Sequence, residues 1–185
     1  MSLNDVLYAL WFFVPAGFAN ATPIIVAKWP LLRAWQTPLD FGHNYRGKRI
    51  FGDSKTWRGL ICAAIVGLTM FALQQRLATH MGSFSTYLQT AKYTSLPLLT
   101  GLLLGAGALI GDAAESFFKR QRNIAPGHSW FPFDQLDYIV GACLLMVPVV
   151  VLPFKIYLLI VLSWLFLHLF FTQVGYLLHL RERAV

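Results

Sequence analysis

Gly111-Asp112-Ala113-Ala114-Glu115-Ser116-Phe117-Phe118-Lys119-Arg120, followed by Asp134-Gln135-Leu136-Asp137, is the stretch around which the chain is organised. Between Asp112 and Asp137 lie four of the eight acidic and three of the fifteen basic residues of a sequence that is 57% hydrophobic. On a helix, Asp112, Glu115, Ser116 and Lys119 fall at i, i+3, i+4 and i+7, within an arc of roughly 100°. Ala113, Ala114, Phe117 and Phe118 take the remaining surface. Asp134 and Asp137 repeat the three-residue spacing, so both point the same way from the start of the next helix. Carboxylates converging beside a lysine and an arginine repel one another unless cations sit among them. A Mg2+ site that handles phosphates is the economical explanation.

The rest of the chain supplies the setting. Its 185 residues suffice for one domain, and with 12% charged residues, about half the usual fraction, they cannot cover a water-soluble surface. The expected class is all-α: a polytopic integral membrane protein with about five transmembrane helices in a single domain spanning residues 1–185. Runs at about 6–27, 58–74, 96–114, 136–153 and 156–180 approach the roughly 20 residues that cross a bilayer. Only Pro153-Phe154-Lys155 separates the last two, which predicts a tight helical hairpin. The first run has an Ala19-Asn20-Ala21 triplet but no basic leader, and it carries Asp5, so a retained span is favoured over a cleaved signal. Cys62 and Cys143 sit in separate apolar runs with no metal-binding spacing and read as packed core residues.

Loop charge orients the spans, because lysine and arginine stay on the cytoplasmic side. The 28–58 loop carries Lys28, Arg33, Arg46, Lys48, Arg49, Lys55 and Arg58. The 115–135 loop carries Lys119, Arg120 and Arg122, and the tail carries Arg181 and Arg183. The opposite side has Arg76, Lys92 and Lys155. This predicts an outside N-terminus, a cytoplasmic C-terminus and both polar loops facing the cytoplasm from the cell membrane.

Pro15, Gly17, Asn20, Thr22 and Pro23 are expected to bend or unwind the first span. A broken helix is tolerated where it faces protein or a wet cavity, which makes Asn20 a candidate substrate-binding residue; a simple proline kink is the alternative. In Pro38–Gly59, glycines at 42, 47, 52 and 59 alternate with cations, as suits a backbone that approaches an anion closely. Gly52-Asp53-Ser54-Lys55-Thr56 echoes a Walker A loop without its GxxxxGK[ST] order. The positive-inside rule alone accounts for the cations as well. Gly101, Gly105, Gly107 and Gly111 favour close helix packing, inside the monomer ahead of a homodimer. His168 and His179, 11 residues apart, share a face with no third ligand.

The ordered pattern Gly111-Asp112-(x)2-Glu115-Ser116-(x)2-Lys119-Arg120, Pro126-Gly127 and Asp134-Gln135-Leu136-Asp137 resembles the signature of the membrane cytidylyltransferases that make CDP-lipids. Pro38–Gly59, ending in Lys55-Thr56-Trp57-Arg58-Gly59, is similar more narrowly to the CDP-archaeol synthase branch, as are the five-span layout and the Asp-Gln-x-x-Asp wording. The resemblance implies transfer of CMP from CTP to a lipid phosphate with release of pyrophosphate and Mg2+ in the site. Its implied partners are CTP, a lipid phosphate and the bilayer, with no nucleic acid. By resemblance, Asp112, Asp134 and Asp137 hold the metal, with Glu115 as a further ligand. Ser116, Lys119 and Arg120 contact phosphates, and Lys48, Arg49, Lys55 and Arg58 cover the triphosphate or receive the lipid head group. Asp112, Lys119, Arg120, Asp134 and Asp137 are thus the expected catalytic residues.

Gln121-Arg122-Asn123 and Ser129-Trp130-Phe131 depart from the phosphatidate-specific branch and weigh against a diacylglycerol-phosphate acceptor; the resemblance to the closer branch implies a saturated isoprenoid ether lipid phosphate, with a phosphatidate cytidylyltransferase acting on an ester lipid as the alternative. No Ser-His-Asp arrangement is visible, and none is required, since a phosphate monoester is already an anionic nucleophile. The competing readings are a lipid-phosphate phosphatase or phosphotransferase using the same metal, and a small transporter. A transporter would place its carboxylates near mid-membrane in an inverted repeat, whereas here they fall at helix ends.

Overall fold

Ser2 starts the first helix, α1 (Leu3–Lys28), through a reciprocal cap: its hydroxyl accepts from the Asp5 amide at 3.2 Å, and the Asp5 carboxylate accepts from the Ser2 amide at 2.8 Å. The computed structural model describes residues 2–177; His179, Arg181 and Arg183 lie outside them. Both prolines sit inside α1, yet the helix continues past them to Lys28 instead of unwinding. Pro15 has no N–H to offer the Trp11 carbonyl four residues back. Gln74, from α2 (Trp57–Leu77), replaces it, donating to that carbonyl at 2.6 Å. Tyr93 Oη donates in turn to Gln74 Oε1 at 3.1 Å. A remote side chain thus supplies what the proline removed.

Thr56 caps α2 by accepting from the Gly59 amide at 3.2 Å. After α2 the chain makes an amphipathic segment that the sequence reading passed over, α3 (Ser83–Thr90). It is pinned to α1 where Tyr87 Oη donates to Asp5 at 2.7 Å. The glycines of α4 (Leu99–Gln121) serve two crossings. A Cβ on Gly105 would collide with the Ala63 backbone of α2, and one on Gly107 would lie 2.7 Å from the Ala142 Cα of α5 (Phe133–Met146). Backbones this close require glycine.

α5 is where the expected spans and the structure differ most. The expected 136–153 span is helical only to Met146, and the helix has 14 residues, about 21 Å at the usual rise against a hydrocarbon core of about 30 Å. Val147-Pro148 ends it, because Pro148 cannot donate and restrains the residue before it. A turn closes at Met146 O, which accepts from Val149 and Val150 at 2.9 and 3.0 Å. Residues 147–153, rather than a three-residue link, therefore lead to α6 (Phe154–Leu177). Among the described residues, four helices are long and apolar enough to cross a membrane: α1, α2 with its 3₁₀ extension, α4 and α6.

The polar groups divide between two ends of the bundle. At one end Lys155 Nζ, at the start of α6, lies 3.0 Å from Asp5. At the other, the 29–56 loop packs over the C-terminal half of α4 and the start of α5. Both loops singled out by their charge therefore meet at one end.

Candidate active site

α4 carries Asp112, Glu115, Ser116 and Lys119 on the face turned toward α5, as the spacing predicts. Candidate ligand atoms of Asp112, Glu115 and Asp137 all lie within 4.8 Å of one another. Asp134 stands beside this group but is otherwise engaged. Its Oδ1 accepts from Lys119 Nζ at 2.7 Å and its Oδ2 from the Trp130 amide at 2.6 Å. Lys119 also lies 3.4 Å from Glu115 Oε1, and Lys55 Nζ lies 2.6 Å from Asp112 Oδ1. Glu115, Ser116 and Lys119 are all buried. At Glu115 Oε1 that long ion-pair contact is not accompanied by a well-formed hydrogen bond among the described residues. Three convergent carboxylates form a hard-oxygen donor set of the kind divalent cations take.

Two polar chambers meet at this cluster. One, of about 380 Å³, lies between residues 51–55 of the loop and Ser116, Lys119, Arg120, Pro126 and Gly127. Arg120 Nε is buried there without an acceptor among the described residues. The second, of about 280 Å³, is lined by Asn20, Pro23 and Ile24 of α1, by Thr56, Gly59 and Leu60 around the start of α2, and by the carboxylates. Asn20 thus lines a chamber from an unbroken helix. Asp112, Asp134, Asp137 and Lys55 border both chambers. On the far side, Glu115 and Asp137 also border a cavity of about 740 Å³ between α4 and α5 whose other walls are chiefly apolar, such as Ala114, Leu136 and Val140. Sequence reasoning missed this cavity, although the apolar positions of α4 and α5 beside the acidic ones were its signal.

The basic loop is built differently from the expectation. Asn44–Tyr45 (β1) and Lys48–Arg49 (β2) form an antiparallel hairpin. Arg46 (φ 51°) and Gly47 (φ 76°) make its two-residue turn, the conformation for which glycine is favoured. A Cβ on Gly47 would meet nothing within 4 Å, so the glycine serves the turn and not a close approach. Asp40 is the hub: its buried carboxylate accepts from the amides of Gly42, Phe51 and Gly52 at 3.0, 2.9 and 3.0 Å and from Arg49 at 2.9 Å. Burial alone would push this carboxyl up; the three amides and the guanidinium outweigh it and hold the pKa at about 2.

Of the loop cations expected at phosphate, Lys55 lines the chambers. Lys48 instead donates to the Gln121 carbonyl at the end of α4 at 2.6 Å, a favourable place for a cation. Arg49 bridges Asp40 and Asp53. Arg58 is 7% exposed, with Nη1 donating to the carbonyls of Leu32 and Arg33 at 3.0 and 3.3 Å.

Comparison with known proteins agrees with this architecture. A family model described as CarS-like, CDP-archaeol synthase, matches residues 2–184. The CDP-archaeol synthase of Pyrococcus furiosus is 36% identical over 152 residues, covering 82% of this chain and 81% of its own. That of Thermococcus onnurineus is 38% identical, covering 80% and 79%. That of Methanocaldococcus jannaschii is 30% identical over 180 residues, covering 94% of each. A solved structure described as an intramembrane enzyme for archaeal membrane lipid biosynthesis superposes with a TM-score of 0.68 at 28% identity, covering 89% of this chain and 92% of that one. With an acidic, lysine-buttressed cluster at the meeting point of polar and apolar cavities in a membrane bundle, the chain belongs to the CDP-archaeol synthase family.

Proposed function

We propose that this protein transfers CMP from CTP to an archaetidic-acid-like ether lipid phosphate, forming a CDP-lipid and pyrophosphate, at the cytoplasmic face of the cell membrane. The observation that carries this reading is the junction itself: Asp112, Glu115 and Asp137 stand between a cation-lined chamber and an apolar cavity. Loop charge supports the orientation, because Lys28–Arg58 and Lys119–Arg122 together hold ten of the chain's fifteen lysines and arginines.

Asp112, Glu115 and Asp137 are the residues that would hold Mg2+, which when bound supplies charge neutralisation to the triphosphate and the departing pyrophosphate. Asp134 keeps Lys119 and the 124–130 turn in register with them. An oxygen of the lipid phosphate attacks the α-phosphorus of CTP. A new P–O bond forms, the bond from the α-phosphorus to the oxygen bridging the β-phosphorus breaks, and pyrophosphate leaves with that electron pair. The nucleophile is anionic from the start, so no proton has to move. Ser116 donates to a phosphate oxygen, while Lys119 and Arg120 relieve repulsion between the two anions. All three line the same chamber as Lys55. Lys55, shared by both chambers, faces either substrate.

The test is direct. Purified protein is incubated with radiolabelled CTP, Mg2+ and an ether or ester lipid phosphate, and the lipid extract is analysed for label. CDP-lipid with the ether acceptor is expected; no labelled lipid with any acceptor would sink the reading.

A further inference from the structure

Lys28-Trp29-Pro30-Leu31-Leu32-Arg33-Ala34-Trp35 is unlike the rest of the polar end. It is a run of turns in which the Trp29 carbonyl accepts from Leu32 and Arg33 at 3.1 and 2.9 Å. It turns its large apolar side chains outward: Leu31 is 85% and Trp29 52% exposed. Lys28 and Arg33 are exposed between them and enter no ion pair among the described residues. Two side chains hold its backbone: Gln36 Nε2 donates to the Arg33 carbonyl at 3.1 Å, and Arg58 does so from the buried side. Arg58, too buried to meet a ligand, holds the Leu32 and Arg33 carbonyls.

Position gives this surface a partner. α1 has 26 residues, about 39 Å of helix, so its Lys28 end lies at the boundary of a hydrocarbon core of about 30 Å. Tryptophan beside lysine and arginine is the composition that seats at lipid head groups. The run also adjoins a chamber wall at both of its anchors. Pro23 and Ile24, one turn before Lys28, and Gly59 and Leu60, next to Arg58, line the chamber that leads past Asn20, Thr56 and Lys55 to Asp112 and Asp137. At and beyond the chamber mouth Ile24, Ile25, Ile61 and Ile65 are exposed along α1 and α2, a face that lipid chains can cover.

Resting on the proposed reaction, we infer that Lys28–Trp35 is a docking shelf for the phosphate head group of the acceptor lipid. The shelf passes that phosphate between α1 and α2 into the Asn20 chamber, and Arg58 is the positioning residue that fixes it. The α4–α5 cavity is the competing route. Its walls are chiefly apolar, with none of the 29–56 loop's cations among them. Its cation, Arg122, already lies over the Trp130 ring at 4.8 Å.

The shelf is read by its own tryptophans. The purified protein in detergent is titrated with a short-chain dibrominated lipid phosphate, or with the phosphocholine lipid of the same chains, and tryptophan quenching is followed; W29F/W35F identifies the share due to the shelf. The lipid phosphate is expected to quench at about 25-fold lower concentration, two cations contributing about five-fold each. K28Q/R33Q should abolish that advantage and raise KM for the lipid phosphate by the same factor, leaving kcat and KM for CTP in place. R58Q should do the same; because it removes a buried group, the exposed K28Q/R33Q pair carries the test if R58Q does not fold. Quenching indifferent to the head group, or an advantage that survives K28Q/R33Q, overturns the shelf. So does a rise in lipid KM on narrowing the α4–α5 cavity with L144W while K28Q/R33Q leaves it unchanged. Wild-type protein that makes no CDP-lipid at all instead overturns the proposed reaction, whatever the quenching shows.

Discussion

Gly111→Ala is a one-carbon test of whether the spacing between α4 and α5 sets the geometry of the acidic cluster. A Cβ built on Gly111 collides with the Asp137 carbonyl oxygen and lies 2.9 Å from both the Asp137 carbonyl carbon and the Gly141 Cα. Ordinary carbon contacts are about 3.5–4.0 Å, so the crossing must open by about 1 Å. Neither neighbour is the tip of a flexible side chain; both are backbone of α5, and the strand of atoms that yields is the one bearing Asp137. The methyl therefore moves Asp137 away from Asp112 and Glu115. A displacement of about 1 Å in a reacting constellation costs about 100-fold in rate, on top of about 1–3 kcal/mol of stability for overpacking. The assay is CDP-lipid formation from labelled CTP over a Mg2+ titration, with a thermal melt of the same detergent preparation. Gly101→Ala is the control: its Cβ meets the Gly67 carbonyl oxygen at 2.7 Å and Phe71 Cγ at 3.0 Å, but about 16 Å along α4 from Asp112. It should lower the melting temperature comparably and keep kcat. If Gly111→Ala retains more than half of wild-type turnover with an unchanged Mg2+ dependence, the crossing does not set the site.

Three further outcomes are expected. Asp112→Asn should abolish Mg2+-dependent CTP binding measured at equilibrium, and retained binding with the same metal dependence would remove Asp112 from the ligand set. Asp40 titrates at about 2 in the folded loop against an ordinary value of 3.8, so its contribution is complete above pH 4 and is lost as the pH falls through 2. Hydrogen exchange at the Gly42, Phe51 and Gly52 amides should therefore accelerate over that window, and Asp40→Asn should speed tryptic cleavage at Arg46 and Lys48 at neutral pH. Gln74→Leu strands the Trp11 carbonyl and the Tyr93 hydroxyl, at a cost of about 1–3 kcal/mol; a melt should show the loss while activity per folded molecule is kept.

The helix face at Asp112, Glu115, Ser116 and Lys119 was legible because helical spacing is a local property, and Asp137 followed from the next helix start. Asp134 looked equivalent to Asp137 at the same spacing. What separates them is a turn: the Trp130 amide reaches back to Asp134 and Lys119 reaches across to it, and neither distance is written in the spacing. Lys48, Arg49 and Arg58 read as phosphate ligands because a cation among glycines is also what a loop uses to satisfy its own carbonyls and aspartates. Which use prevails depends on where Gln121, Asp40 and Leu32 arrive in space. The helices α1, α2, α4 and α6 were legible from apolar runs alone. α5 was overextended because Val147–Pro153 is as apolar as a helix would be, and α3 was missed because eight amphipathic residues make a weak signal. The expected unwinding of α1 does not occur, and at Pro15 the reason is remote: Gln74, which serves the Trp11 carbonyl, lies 63 residues downstream of it.

That separation also has a timetable. A ribosome adding about 5–20 residues per second makes Gln74 roughly 3–13 s after Trp11. For that interval the first helix has a naked carbonyl one turn before Pro15, a group that hydrocarbon does not accommodate. Until the second helix brings the Gln74 amide, water or a local adjustment of the helix has to serve that carbonyl. Tyr93, later still, donates to Gln74. One proline and the glutamine that answers it thus tie the finished first helix to the arrival of the second.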